Sequence, residues 1–131
     1  MHLCISLVTF AKEILNSMRE LYFSDEFWEF YNKQTDRVQT KFDYVISIVR
    51  SEQIIATKFV KHLEDTDLYE MRVSVGTNEY RTVLFAIDHK NIINASKIFV
   101  LNAFLKKSTK DYKKQIALAL KILGGNEDGK V

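Results

Sequence analysis

Five lysines, Lys106, Lys107, Lys110, Lys113 and Lys114, crowd a short stretch near the C-terminus, and they surround Ser108, which reads as the cap of a helix. At that end of a helix the macrodipole is positive, so each cation costs roughly 0.3 to 1 kcal/mol. Local helix stability therefore does not explain them. An anion from outside does, because backbone N–H groups, dipole and ammonium groups would all attract a phosphate. The plain alternative is a solvated lysine face. Two arginines, Arg72 and Arg81, sit on consecutive strand-like segments with Glu70 two residues before the first. A guanidinium pair suits a dianionic phosphorane, whose equatorial oxygens it can clamp. Periodicity alone favours a simpler arrangement, in which Glu70 pairs one arginine across the strands. For proton transfer the candidates are Tyr80, Tyr112, Glu70, His62 and the lysines. His62 and His89 read as surface histidines, and Phe27, Trp28, Phe30 and Tyr31 as helix packing rather than a base-stacking platform.

The elements that must position these groups are marked by hydrophobic period. Ser24 followed by Asp25 and Glu26 opens a first helix. Val38, Phe42, Val45, Ile46 and Val49 place a second over about 35–48, completing a helical hairpin. LYEMRVSV, 68–75, alternates as a half-buried strand; after Gly76, Thr77 and Asn78, EYRTVLFAI is apolar on both faces, as in a central strand. A tight turn is expected at 88–91, then a strand over 92–104 with an irregularity near 94–97. Ser108 with Asp111 matches a capping box for the last helix, which Gly124 and Gly125 should stop. A short strand, 19–23, precedes the first helix. The order β, α, α, β, β, β, α predicts an α+β domain with an antiparallel sheet. Residues 1–18 form an extension of uncertain status, either an extra helix over 10–17 or sequence preceding a true start at Met18. The domain proper spans 19–123, and 124–131 read as a flexible tail.

Composition narrows the function classes. With 131 residues, 47% of them apolar, the chain supports one core. One cysteine, Cys4, and three scattered histidines give no disulfide and no zinc-ligand spacing, so a reducing cytoplasm and no metal are expected. No apolar run reaches the roughly 18 to 20 residues of a membrane span, and no export signal is read. Net charge is +2, yet residues through Met71 carry 8 Lys and Arg against 12 Asp and Glu, and those from Arg72 onward 11 against 5. A polyanion is thus expected on the C-terminal half.

The segment LYEMRVSVGTNEYRTVLFAI followed by IFVLNAFLKKSTKDYKKQIALAL is similar to the signature of the HigB-like, phage-derived branch of the RelE/ParE toxin superfamily. Leu68, Tyr69, Glu70, Arg72, Tyr80, Arg81, Phe104, Lys106, Lys107 and Lys110 carry the match, which extends over about 19–123. The resemblance implies a RelE/ParE-like fold: an N-terminal strand and helical hairpin packed on the sheet, with a C-terminal helix. It also implies a toxin that cuts mRNA in the ribosomal decoding site by attack of a 2′-hydroxyl on the adjacent phosphate, with no metal and no cofactor. Carried over by position, Arg81 would stabilise the transition state, Arg72 and Lys107 would hold phosphates, and Lys106 or Lys110 would assist. Lys113, Lys114, Tyr80 and Glu70 join the expected RNA-binding set, and Tyr112 serves proton transfer or stacking. Many members have Thr-Pro after the lysines; here Asp111 and Tyr112 stand instead, which leaves the general acid open. The implied partner is a helix-turn-helix, HigA-like antitoxin. Because this superfamily hosts more than one function, a ParE-like DNA gyrase inhibitor and an inactive nucleic-acid- or antitoxin-binding relative are the alternatives.

Overall fold

The computed structural model describes residues 18–128, in the order β1 (Glu20–Phe23), α1 (Asp25–Asn32), α2 (Asp36–Ser51), β2 (Val60–His62), β3 (Leu68–Val75), β4 (Asn78–Ala86), β5 (Lys97–Leu105) and α3 (Thr109–Asp128). The expected helix or alternative start within the first 17 residues lies outside the described residues. Both helices of the hairpin begin at side-chain caps. Ser24 Oγ accepts from Phe27 N at 3.0 Å, and Thr35 Oγ1 accepts from Val38 N at 3.3 Å, each satisfying one of the donors that a helix start leaves open.

The strands form one five-stranded sheet in the order β1-β5-β4-β3-β2. It is antiparallel except at one edge, where β1 runs parallel to β5. Alternation along β3 sends Met71 and Val73 to one face and Leu68, Glu70 and Arg72 to the other. The hairpin α1–α2 covers the first face, where Phe27, Val38, Phe42, Val45 and Val49 pack on Met71, Val73, Leu84 and Val100. The second face receives α3, with Ala119, Ile116 and Leu123 against Leu68, Val83, Leu101 and Phe104.

Several boundaries differ from expectation. The strand expected over 92–104 begins only at Lys97, because residues 88–96 form a folded connection rather than a tight turn. The Asp88 carboxylate holds that connection by accepting from Ser96 N and Lys97 N, both at 3.0 Å, and from the Ser96 hydroxyl. The irregularity lies further along. Thr82 pairs with Ala103 and Leu84 with Val100, so Val83 faces both Leu101 and Asn102. This bulge resets the alternation, allowing Leu101 and Phe104 to share the α3 face. Nor do Gly124 and Gly125 end the last helix, which continues to Asp128. A helical glycine costs about 1 kcal/mol, and the packing of Ile122 and Leu123 just before the pair offsets this.

Arg19 ties the hairpin to this scaffold. Its buried guanidinium donates to four main-chain carbonyls: Val49 (2.9 Å), Glu52 (2.5 Å), Gln53 (3.0 Å) and Ile93 (2.9 Å). The cation thereby satisfies acceptors at the negative end of α2. Burial lowers its pKa.

Candidate phosphate-binding cleft

Glu70 is the centre of the site. Its side chain is only 6% exposed, and Oε1 lies 3.0 Å from Arg72 Nε and 3.2 Å from Arg81 Nε. The other carboxylate oxygen accepts from the Tyr112 hydroxyl, which reaches across from α3. Ladder geometry makes the first part inevitable: Arg72 and Arg81 are direct cross-strand partners, and Glu70 is two residues along on the same face. The expected pairing of Glu70 with one arginine is therefore extended to both. A buried carboxylate between two guanidiniums and a phenol has its lone pairs satisfied, as burial of a charge requires.

The two arginines are not equivalent. Arg72 keeps 32% of its side chain exposed and lines an open cleft of about 350 Å³. Arg81 is 7% exposed and lies behind Glu70, with Nη1 held by Glu79 Oε1 at 3.3 Å and by the Tyr80 carbonyl at 3.0 Å. Glu79 is held below the usual carboxylate range, first by the Ser74 hydroxyl, with Arg81 and Lys106 adding to the effect. Direct contact of Arg81 with a substrate requires Glu70 to give way.

Glu70, Arg72 and Tyr112 line the cleft, with Lys61 and His62 from β2 on one side and Lys106, Lys107, Ser108 and Thr109 on the other. Ser108 caps α3 as expected, its Oγ accepting from Asp111 N at 3.1 Å. The helix therefore points its open N–H groups toward the lysine rim. The Tyr112 pKa is raised, chiefly by burial and then by its hydrogen bond to Glu70. The phenol thus keeps its proton at neutral pH and acts as a donor.

Among the expected site residues, Glu70, Arg72, Lys106, Lys107 and Tyr112 converge on the cleft, and Arg81 stands behind it. Lys110, Lys113 and Lys114 are exposed along α3, outside the cleft lining. Tyr80 is elsewhere: its ring packs against Phe42 and Phe30 in the core on the opposite sheet face. Sequence reading missed Lys61 and Thr109 as lining residues; it named Ser108 as the helix cap, and it weighed His62 for proton transfer but read it as a surface histidine. Lys61 is the direct ladder partner of Glu70, but a three-residue strand is too short to leave a periodic signal. Among the described residues, no group of three or more His, Cys, Asp and Glu side chains comes together as a metal site. No described helix is long and apolar enough to cross a membrane.

Comparison with solved structures relates the fold, rather than the cleft, to known proteins. The Escherichia coli toxin RelE, as a double arginine-to-alanine mutant in the free state, aligns with a TM-score of 0.56 at 18% identity, over 79% of this chain and 96% of RelE. The intact E. coli RelBE toxin–antitoxin complex aligns with a TM-score of 0.49 at 16% identity, over 70% of this chain and 100% of the matched chain. No curated protein sequence matches. The family profile described as "Phage derived protein Gp49-like" matches residues 29–123, which include β2 to β5, the whole cleft and most of α3. This chain is therefore a member of the phage-derived Gp49-like family, built on the fold of RelE.

Proposed function

We propose that this chain is the toxin of a toxin–antitoxin pair, and that it cuts mRNA on the ribosome in the cytoplasm without a metal or cofactor. The observation that carries the reading is the internal anion: one buried carboxylate, Glu70, occupies a nest of two guanidiniums and a phenol below a lysine-rimmed helix start. A site built this way already satisfies an anion where a phosphate could sit.

In the proposed reaction the substrate phosphate enters between Lys107 and Arg72, with Lys106 at the rim and Lys110 on the adjoining turn. Charge on the phosphate draws the guanidiniums away from Glu70. The freed carboxylate accepts the proton of the 2′-hydroxyl, whose oxygen bonds to phosphorus. Arg72 and Arg81 then stabilise the equatorial oxygens of the phosphorane. Tyr112 donates its proton to the departing 5′-oxygen as the P–O bond breaks, leaving a 2′,3′-cyclic phosphate. Lys113 and Lys114 lie further along the same helix, where they attract the backbone without touching the reacting phosphate. The antitoxin is a helix-turn-helix, HigA-like protein encoded beside this chain.

Induced expression in bacteria tests the reading. The chain should arrest growth, co-expression of the neighbouring gene should relieve the arrest, and Arg72→Ala should weaken it while leaving a folded protein. Arrest accompanied by DNA breaks and intact mRNA would instead identify a gyrase inhibitor.

A further inference from the structure

The overall acidity of the N-terminal half conceals a basic segment. Residues 37–61 carry five Lys and Arg against two Asp and Glu. On α2, Arg37, Lys41 and Tyr44 share one exposed face at helical spacing. Asp36 and Asp43 lie on a different face, and the Asp43 carboxylate accepts from the Tyr31 hydroxyl at 2.6 Å. The Tyr44 ring is 53% exposed, with the Lys41 ammonium 5.6 Å above it and the half-buried Phe59 ring 6.3 Å away edge-on. The Lys58 ammonium in turn lies 4.9 Å over Phe59. Two neighbouring rings, each with a lysine over it, therefore lie across the surface of α2 and the approach to β2. Core packing accounts for Phe59, which lies against the hairpin core, but not for the exposed Tyr44 or the ammonium groups.

This strip meets the cleft at one end. Val60 O and N belong to the edge strand, and one residue beyond, Lys61 turns to the opposite sheet face and enters the cleft. At the other end, Arg37 lies over Gly76 at the tip of the β3–β4 hairpin, beside a depression of about 540 Å³ that Lys41 and Tyr44 also line. The same hairpin holds Lys106 at the cleft rim through the hydrogen bond from Lys106 N to Glu79 O, 2.7 Å.

We infer that the strip Arg37, Lys41, Tyr44, Phe59, Lys58 and Lys61 binds the flank of the single-stranded RNA whose scissile phosphate lies in the cleft. The inference rests on the proposed reading of the cleft. Single-stranded nucleic acid is bound sequence-tolerantly by a cationic track with stacking rings, and continuity with the lysine rim supplies the path. A base settling on Tyr44 displaces the Lys41 ammonium from the ring onto the neighbouring phosphate, exchanging a weak cation–π contact for a charge pair.

Binding of fluorescent, non-cleavable 2′-O-methyl RNA to the whole purified chain tests this without requiring ribosomes or catalysis. Two lengths are compared, roughly 4 and roughly 16 nucleotides, spanning the range of single-strand site sizes. Lys41→Glu/Lys58→Glu should weaken the long oligomer at least tenfold, leave the short one unchanged, and reduce the salt slope by about 1.4, or 0.7 per lost phosphate contact. Tyr44→Ala should cost about tenfold on the long oligomer, and Tyr44→Phe should restore it. Equal affinity of the wild type for both lengths, or insensitivity of the long oligomer to these variants, overturns the strip alone. Failure of the short oligomer to depend on Arg72 and Lys107 overturns the cleft reading, and absence of any RNA binding overturns both.

Discussion

Removing the guanidinium of Arg81 should be far more damaging to stability than removing that of Arg72, although both pair with the same carboxylate oxygen. Arg81 and Glu70 are 7% and 6% exposed, whereas Arg72 is 32% exposed. Arg81→Ala leaves Glu70 buried with only the partly exposed Arg72 and Tyr112, and removes the ion pair to Glu79, which keeps its hydrogen bond from Ser74. Breaking one side of a buried pair typically costs about 3–5 kcal/mol. Arg72→Ala removes a screened partner and leaves Glu70 paired to Arg81, at less than about 1 kcal/mol. A domain of this size has about 5–15 kcal/mol in total, so Arg81→Ala should remain folded with little margin. Urea unfolding at pH 7, followed by fluorescence of the single tryptophan, Trp28, measures both. Adding Glu70→Gln to Arg81→Ala should recover part of the loss, because no unpaired charge then stays inside. Equal costs for the two arginines, or an Arg81→Ala cost below about 1 kcal/mol, would refute the assignment of Arg81 as the buried member. The consequence for activity assays is direct: loss of toxicity in Arg81→Ala mixes chemistry with stability, whereas Arg72→Ala reports on the cleft.

Tyr112→Phe keeps the ring against Phe104 but removes the donor to Glu70; single-turnover cleavage should fall by about 10²–10⁴-fold, and an unchanged rate would exclude the hydroxyl as proton donor. Arg19→Lys should destabilise by about 2–4 kcal/mol in urea, since an ammonium cannot reach all four carbonyls and orphaned acceptors are costly; a cost below 1 kcal/mol would show that water replaces the guanidinium fork. Asp88 has its pKa lowered below 3.8, first by Ser96, then by main-chain donors at Ser96 and Lys97. Its stabilisation is therefore present above that ordinary value and is lost as pH falls through the lowered one. Amide exchange at Ser96 and Lys97 should accelerate over that acid range, and Asp88→Asn should abolish the pH dependence; identical profiles for the two proteins would contradict the linkage.

Elements with strong local signals were legible from the amino acids. Ser24 and Ser108 mark helix starts that the structure reproduces, with hydrogen bonds to Phe27 N and Asp111 N. The alternation of 68–75 located β3 to the residue, and it placed Glu70 and Arg72 on one face. What escaped depended on distant partners. β2 has three residues and exists because its main chain pairs with β3. The late start of β5 follows from Asp88 organising the preceding loop, and the parallel edge from β1 docking beside β5. Tyr80 shares a sequence motif with Arg81, yet adjacent strand residues face opposite sides, so only Arg81 meets Glu70. The resemblance placed Tyr112 loosely; its role as partner of Glu70 emerges only when α3 lies across the sheet.

The most direct test of the central claim is end-mapping of a defined mRNA incubated with the purified chain, with and without translating ribosomes. Cuts aligned with codons, dependent on ribosomes, and bearing 2′,3′-cyclic phosphate on the upstream fragment are the expected result. Uncut mRNA in the presence of active ribosomes, or upstream fragments ending in a free 3′-hydroxyl, would contradict it.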